Sequence, residues 1–290
     1  MRFADEAHPM GLTDDLQAKA EATKAMSRKG TRAVILAGGR GTRLAPFTSV
    51  LPKPLMPIGE RAILELVVDR LESFGIVDIT FCVGYLSHLI RAVLESRKND
   101  GVHIRYVLEQ HPLGTAGPLR LVGGLEDTFV VMNGDVLTDL DYSDLLEYHD
   151  SQQNVVTIAT HARAIKIDYG VVRFDADADT DGNVDGHRRR ITAYVEKPEY
   201  ISPVSMGIYV FEPSVLDYIA PDEPSDFPDL VQALLRAGQP VGAYPHDGMW
   251  FDIGRQDDYT QAVEAWPQAA ALLTPAQSEA DDARTGTKPR

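Results

Sequence analysis

The sequence predicts an α/β fold in which a mixed, mostly parallel sheet, covered by helices, is followed by a β-rich half. Short apolar runs at 33–36 and 79–83 alternate with stretches whose apolar residues recur at helical spacing. Such βαβα order is typical of a largely parallel sheet, because parallel strands need a crossover between them. From Val155 onward the apolar runs lie closer together, which predicts strands with shorter connections.

The individual elements follow from local patterns. Ile63, Val67 and Leu71 recur at helical spacing, and Ile90 and Leu94 do so further along the chain. The expected helices are 63–74, 86–94, 228–236 and 257–265. The expected strands are 33–36, 79–83, 102–107 and 128–132, and in the β-rich half 171–174, 191–195 and 206–211.

Composition changes at both ends of the chain. Residues 1–30 are poor in large apolar residues and are predicted to form a flexible N-terminal extension. Residues 269–290 are polar and are predicted to be a disordered tail. A single domain, residues 31–268, lies between them.

Charge and cysteine usage exclude several classes of partner. The 290-residue chain has a formal net charge of -15, which argues against binding to nucleic acid or to an anionic membrane. Cys82 is the only cysteine, so no intrachain disulfide can form. The acidic N-terminus lacks the apolar segment of a signal peptide, and no apolar run could span a bilayer. We therefore expect a cytoplasmic protein, and the sequence leaves a homo-oligomer open.

The first strand runs into a glycine-rich turn, LAGGRGTRL, at residues 36–44. Glycines after a strand allow backbone N–H groups to approach an anion, and arginine side chains suit phosphate oxygens. Neither the P-loop nor the dinucleotide-binding pattern fits, because the Gly-Lys-Ser/Thr ending is absent and Leu44 replaces the last glycine. The turn alone is equally compatible with phosphate binding and with a tight turn carrying solvated arginines.

The segment LPKPLMP, at residues 51–57, holds Lys53 between two prolines. Proline fixes φ and removes an N–H donor, so the backbone that presents Lys53 is stiff. A rigid cation close to a glycine-rich turn suits a polyphosphate. Taken alone, Lys53 could equally be a solvated lysine in a proline-rich loop.

The whole run LAGGRGTRLAPFTSVLPKPLMPIG resembles the signature of the sugar-phosphate nucleotidyltransferases, which include mannose-1-phosphate guanylyltransferases and glucose-1-phosphate thymidylyltransferases. The resemblance covers residues 31–268 and continues through VGYLSHLI, EQHPLGTAGPL, VVMNGDV, VEKP, MGIYVF and WFDIG. It implies a Rossmann-like catalytic domain of the nucleotide-diphospho-sugar transferase type. The implied reaction joins a nucleoside triphosphate to a sugar 1-phosphate with Mg²⁺ and releases pyrophosphate.

The resemblance also assigns roles to individual residues. It places Lys53 on phosphate near the reacting centre, Lys197 on the sugar phosphate, and a magnesium ion on Asp135 and Asp252. Phosphoryl-type transfer relies on positioning and charge neutralisation, and Mg²⁺ prefers oxygen ligands, so these residue types suit the reaction. The sugar is expected to meet Glu196 and the backbone of Gly170. The residues implied for the nucleotide are Leu36, Ala37, Gly38, Gly39, Gly41, Thr42, Arg43, Glu109, Gly114 and Asp135, with Arg43 also catalytic.

Without the resemblance, simpler interpretations stand for the same residues. Asp135 follows Asn-Gly, a strong turn signal, and Asp252 could cap a helix. Glu196 and Lys197 could form a surface charge pair.

Glu109 favours guanine over the other bases. Family members that use thymidine or uridine triphosphate commonly carry glutamine at this position. A carboxylate accepts two hydrogen bonds and therefore suits the two adjacent donors of guanine, while Gly114 could meet the remaining edge. We expect GTP with mannose 1-phosphate or a related sugar such as a heptose. The alternatives are dTTP, UTP, ATP or CTP with glucose 1-phosphate or another sugar phosphate, a non-catalytic regulatory subunit, and a metal-dependent glycosyltransferase.

Overall fold

The computed structural model describes residues 30–97, 101–174, 190–254 and 256–273. The strands are β1 (Arg32–Ala37), β2 (Pro57–Ile58), β3 (Arg61–Ala62), β4 (Asp78–Val83), β5 (His103–Leu108), β6 (Phe129–Asn133), β7 (Val136–Thr138), β8 (Val156–Lys166), β9 (Val171–Phe174), β10 (Ile191–Val195), β11 (Glu199–Phe211), β12 (Val241–Pro245) and β13 (Trp250–Asp252). The α-helices are α1 (Ile63–Ser73), α2 (Ser87–Ser96), α3 (Tyr142–Gln152), α4 (Phe227–Arg236) and α5 (Gln256–Leu273). Short 3-10 helices lie at Thr42–Leu44, Phe47–Ser49, Lys53–Leu55, Gly117–Leu121 and Pro213–Tyr218.

Within the described residues, the central sheet has seven strands in the order β12-β8-β11-β6-β1-β4-β5. β1 lies between β4 and β6 and runs parallel to both, and β5 continues the parallel arrangement. β11 is antiparallel to its neighbours β6 and β8, whereas β12 is parallel to β8. The prediction of a mixed, mostly parallel sheet is confirmed.

Helices cover both faces of the sheet and bury its apolar residues. Along β1, Ala33 and Ile35 face the layer that contains α1, α2, α3 and α5. Val34 faces the opposite layer, which contains α4. The three side chains are fully buried, which explains why this strand reads as a continuous apolar run.

The outer ends of β8 and β11, together with β9 and β10, form a set of antiparallel strands that we call the arm. The outer ends of β8 and β11 pair from Glu199↔Lys166 inward, and β9 pairs with β10 beside them. Their side chains are mostly exposed, unlike those of the central strands. The predicted strands 171–174 and 191–195 match β9 and β10, whereas 206–211 is only the buried end of the longer β11.

The C-terminal helix extends past the expected end of the domain. α5 continues to Leu273, and Ala269 is 1% exposed, so a boundary at residue 268 falls inside this helix. Most of the predicted N-terminal extension (1–29), and residues 274–290 of the predicted tail, lie outside the described residues. Of the helices described, none has both the length and the hydropathy needed to cross a bilayer.

Candidate active site

The turn after β1 packs directly against the segment that carries Lys53. Gly38 and Gly39 follow the strand, and Gly41 has a φ of 62°, a left-handed conformation that glycine adopts without strain. The Thr48 hydroxyl donates to the carbonyl oxygen of Gly41 at 2.8 Å. A Cβ atom at Gly41 would lie 3.1 Å from the Cβ of Lys53, so the two segments are in close contact.

Lys53 lies between two carboxylates that are distant in sequence. Its Nζ forms an ion pair with Asp135 and lies 3.9 Å from Oδ1 of Asp252. Burial lowers the pKa of Lys53 to about 8; the Asp252 carboxylate opposes this shift, and the Arg43 guanidinium adds to it. The structure therefore brings three of the expected site residues together, with Arg43 close enough to affect their charge.

The two carboxylates meet because two short strands pair. Asp135 occupies the turn between β6 and β7, and Asp252 ends β13, which is antiparallel to β7. The N–H of Ile253 donates to the carbonyl of Asp135 at 3.1 Å, and that of Gly134 donates to Leu36, at the end of β1, at 2.9 Å. These bonds fix the turn beside the glycine-rich segment.

The carboxylate pair fits the requirements of Mg²⁺. Both groups offer oxygen ligands, and both lie next to the Nζ of Lys53. Among the described residues, no group of three or more His, Cys, Asp or Glu side chains is arranged to hold a metal. A magnesium ion here would take its remaining ligands from phosphate oxygens and water, as Mg²⁺ commonly does.

Glu109 lies over the glycine-rich turn. It follows β5, and its N–H donates to the carbonyl of Val83 at 2.9 Å. Its carboxylate is so close to Gly38 that any Cβ atom there would overlap it. Burial raises the pKa of Glu109, while the Leu113 N–H, 3.5 Å from Oε2, and His111 partly offset the shift.

Both the backbone conformation and the packing at position 114 require glycine. Its φ is 78°, and a Cβ atom would lie 2.5 Å from the carbonyl oxygen of Ser225. The neighbouring Thr115 donates from both its N–H and its hydroxyl to Asp226, at 2.9 and 3.1 Å. The loop after Glu109 is therefore fixed to the segment that precedes α4.

The residues expected to face the sugar lie together on the arm. Gly170 precedes β9, and Glu196 and Lys197 form the turn between β10 and β11. Lys197 has a φ of 45°, an uncommon conformation for a residue with a side chain, and such strain is often found at functional sites. The N–H of Ile167 donates to the carbonyl of Pro198 at 3.0 Å and so joins the two segments. Within the described part of the chain, no hydrogen bond or ion pair joins this group to Lys53 or the two aspartates.

The structure adds residues that motif matching did not identify. Tyr194 donates from its hydroxyl to Oε2 of Glu196 at 2.8 Å. Arg163, on β8, forms an ion pair with Asp258, on α5, at 2.9 Å, and Asp258 raises the pKa of Lys53. The spacing of Tyr194 from Glu196 is a local signal that could have been noticed, whereas the contact between Arg163 and Asp258 depends on the fold.

A family model and several characterised proteins match this chain. A family model described as nucleotidyl transferase matches residues 32–268. The UTP–glucose-1-phosphate uridylyltransferase of Synechocystis sp. is 33% identical over 252 residues, which are 80% of this chain and 62% of that protein. The mannose-1-phosphate guanyltransferase of Aspergillus oryzae is 34% identical over 235 residues, 79% of this chain and 62% of that protein. The chain thus spans about 62% of the length of these two relatives.

Solved structures share the fold. A protein of Bacillus anthracis in complex with a sucrose, provisionally named a glucose-1-phosphate thymidylyltransferase, has a TM-score of 0.62 and 25% identity, covering 81% of this chain and 94% of its own. HddC from Yersinia pseudotuberculosis, complexed with GMP-PN, has a TM-score of 0.59 and 24% identity over 81% of this chain and 99% of its own. The expected fold of the nucleotide-diphospho-sugar transferase type is confirmed.

Proposed function

Because the chain belongs to the sugar-phosphate nucleotidyltransferases, whose family model matches residues 32–268, we propose that it makes a sugar nucleotide. It transfers a nucleoside monophosphate from a nucleoside triphosphate to a sugar 1-phosphate and releases pyrophosphate. The observation that carries this proposal is the convergence of Lys53, Asp135 and Asp252 beside the glycine-rich turn.

The reaction needs charge neutralisation more than a protein nucleophile. A phosphate oxygen of the sugar 1-phosphate forms a bond to the α-phosphorus, and the bond from that phosphorus to the pyrophosphate oxygen breaks. In this proposal Lys53 neutralises charge near the α-phosphate, and the glycine-rich turn with Arg43 holds the leaving pyrophosphate. Lys197 holds the phosphate of the sugar. Each role sets a cation or an N–H donor against an anion, and such electrostatic stabilisation is the main catalytic device for this class of reaction.

Asp135 and Asp252 are the residues that would hold Mg²⁺. The ion supplies further positive charge to the triphosphate when it is bound. The protein's own contribution is to hold the two carboxylates together through the pairing of β7 with β13. A regulatory subunit without activity would have less need of this pair, so the arrangement supports an enzyme over a sensor.

GTP is the favoured nucleotide, with mannose 1-phosphate or a related sugar such as a heptose as acceptor. Glu109 presents a half-buried carboxylate beside Gly38, and an acceptor-only group suits the two adjacent donors of guanine. Several relatives are named mannose-1-phosphate guanyltransferases, but one is named a uridylyltransferase. UTP with glucose 1-phosphate is therefore the second candidate pair. The net charge of -15 supports small-molecule substrates over nucleic acid. The cytoplasm is the compartment that we propose for the reaction.

A screen of pyrophosphate release tests both the reaction and the base. Five nucleoside triphosphates are combined with a panel of sugar 1-phosphates for wild type and for Glu109→Gln. We expect wild type to prefer GTP, and Glu109→Gln to lower kcat/KM for GTP roughly 5- to 150-fold, the cost of one mispaired polar group. The kcat/KM for UTP and dTTP should fall less or rise.

The exposed Glu126, on the loop before β6, provides the control variant Glu126→Gln, which should behave as wild type. The absence of pyrophosphate release with every substrate pair would refute the proposed reaction. An unchanged nucleotide preference in Glu109→Gln would refute only the assignment of guanine.

A further inference from the structure

The arm carries a tyrosine and a glutamate that act as one polar unit, here called the Tyr194–Glu196 pair. Tyr194 lies on β10, and its hydroxyl donates to Oε2 of Glu196 at 2.8 Å. Tyr194 is 63% exposed and Glu196 is also exposed, so a ligand can reach both side chains. The hydroxyl also lies against Gly170, where a Cβ atom would overlap it.

The hydrogen bond determines what the pair can offer to a ligand. Because the phenol gives its only proton to Glu196, its oxygen remains as an acceptor. The second carboxylate oxygen, Oε1, is also an acceptor. The hydrogen bond to Glu196 raises the pKa of Tyr194, so the phenol remains protonated at neutral pH. The pair therefore presents two neighbouring acceptors and no free donor.

We propose that Tyr194 is a specificity-determining residue and that the Tyr194–Glu196 pair recognises two adjacent hydroxyl groups of the sugar. This inference rests on the proposed function and narrows its acceptor to sugar phosphates with a vicinal diol at the position that meets the pair. One hydroxyl donates to Oε1 of Glu196 and its neighbour donates to the phenol oxygen of Tyr194. A sugar that lacks either hydroxyl leaves one acceptor without a donor when the ligand excludes water.

Three features support the inference that the pair is part of a binding surface. Gly170 lets the backbone approach the phenol, and its φ lies outside the range that would by itself require glycine, so the close contact explains the residue. Lys197, the next residue after Glu196, is held at a φ of 45°. The bond from Ile167 to Pro198 fixes both segments relative to each other. An isolated surface hydrogen bond would need none of these arrangements.

The test measures sugar binding separately from turnover. Calorimetry gives the Kd of mannose 1-phosphate and of its monodeoxy analogues for wild type and for Tyr194→Phe, which removes only the hydroxyl. We expect Tyr194→Phe to weaken binding of the parent sugar about 3- to 10-fold, the range of one hydrogen bond. The preference of wild type for the parent over one monodeoxy analogue should disappear. In turnover assays the variant should raise KM for the sugar phosphate while kcat and KM for the nucleotide stay near those of wild type.

Two further variants test whether the effect is specific to Tyr194 and whether it depends on Glu196. Tyr200→Phe changes another exposed tyrosine of the arm, on β11, and should match wild type. Combining Tyr194→Phe with Glu196→Gln should weaken binding more than Glu196→Gln alone, because each residue accepts from a different hydroxyl. The two effects should nevertheless not be additive, because the residues share a hydrogen bond.

Several outcomes would overturn the inference. One is an unchanged Kd and an unchanged deoxy preference in Tyr194→Phe, and another is additive effects of the two substitutions. If wild type releases pyrophosphate in these cases, the proposed function stands and only the inference fails. If wild type neither binds a sugar phosphate nor releases pyrophosphate, both fail.

Discussion

Gly38, in the glycine-rich turn after β1, packs against the carboxylate of Glu109, which follows β5. The carboxylate of Glu109 occupies the space where a side chain at Gly38 would begin. Gly39, its neighbour, has no atom within 4 Å of an added Cβ. The two adjacent glycines therefore differ: packing against Glu109 requires glycine at position 38, whereas no such contact requires it at position 39.

This difference gives a prediction for the protein without nucleotide. Gly38→Ala should lower the free energy of unfolding by about 1 kcal/mol, because a carboxylate must move to admit the methyl group. Gly39→Ala should leave it unchanged or slightly higher, since the unfolded chain loses entropy. Urea unfolding measures both values. Adding Glu109→Ala to Gly38→Ala should recover the loss, and equal stabilities of the two glycine variants would contradict the placement of Glu109.

The sequence named candidate site residues but not their contacts. Asp135 and Asp252 could be named from their surroundings in sequence, yet their shared contact with Lys53 exists only because β7 pairs with β13. Tyr194 was not identified, because its role depends on a hydrogen bond and on the close approach of Gly170. Local sequence predicts which residue types are available, and tertiary structure decides which of them meet.

At the level of secondary structure, the central strands were predictable and the arm was less so. Buried strands such as β1 and β4 read as apolar runs with little ambiguity. The outer half of β11 is exposed and mixed in character, so only its buried end was predicted. Helix α3 was missed, although Asp141 precedes it as an N-cap and accepts from the N–H groups of Ser143 and Asp144 at 2.7 and 3.0 Å.

The cap of α3 gives a prediction for that helix alone. Asp141→Ala should lower the free energy of unfolding by about 1 kcal/mol, because two helical N–H groups lose their acceptor. Asp141→Asn, which keeps a capping oxygen, should lose much less. Chemical denaturation measures both, and kcat/KM should stay at the wild-type value, since α3 supplies none of the proposed site residues. An Asp141→Ala protein as stable as wild type would show that the cap contributes nothing.

For the whole molecule, the sheet explains why the site forms where it does. β1 and β6 are parallel neighbours, so the turns that follow them lie at the same edge, where α/β sheets commonly bind ligands. Helix α5, the last helix of the described residues, packs against this edge. The hydroxyl of Tyr259 donates to the carbonyl of Pro57 at 2.8 Å, and Asp258 pairs with Arg163 of the arm. The largely parallel character of the sheet followed from the alternation of elements, whereas the order of its strands and the contact of α5 with this edge had no local signal.

The most direct test of the central claim is the rate of Mg²⁺-dependent pyrophosphate release by Asp135→Asn, compared with wild type and with the surface variant Asp150→Asn. Asn keeps the size of the side chain but removes the charge that faces Lys53 and the proposed ion, so unfolding curves should show a folded protein. We predict a loss of about 100-fold or more for Asp135→Asn, the size typical of one lost electrostatic contact in a reacting centre, and no loss for Asp150→Asn. A folded Asp135→Asn protein that releases pyrophosphate at the wild-type rate, with the same dependence on Mg²⁺, would contradict the assignment of this cluster as the reacting centre.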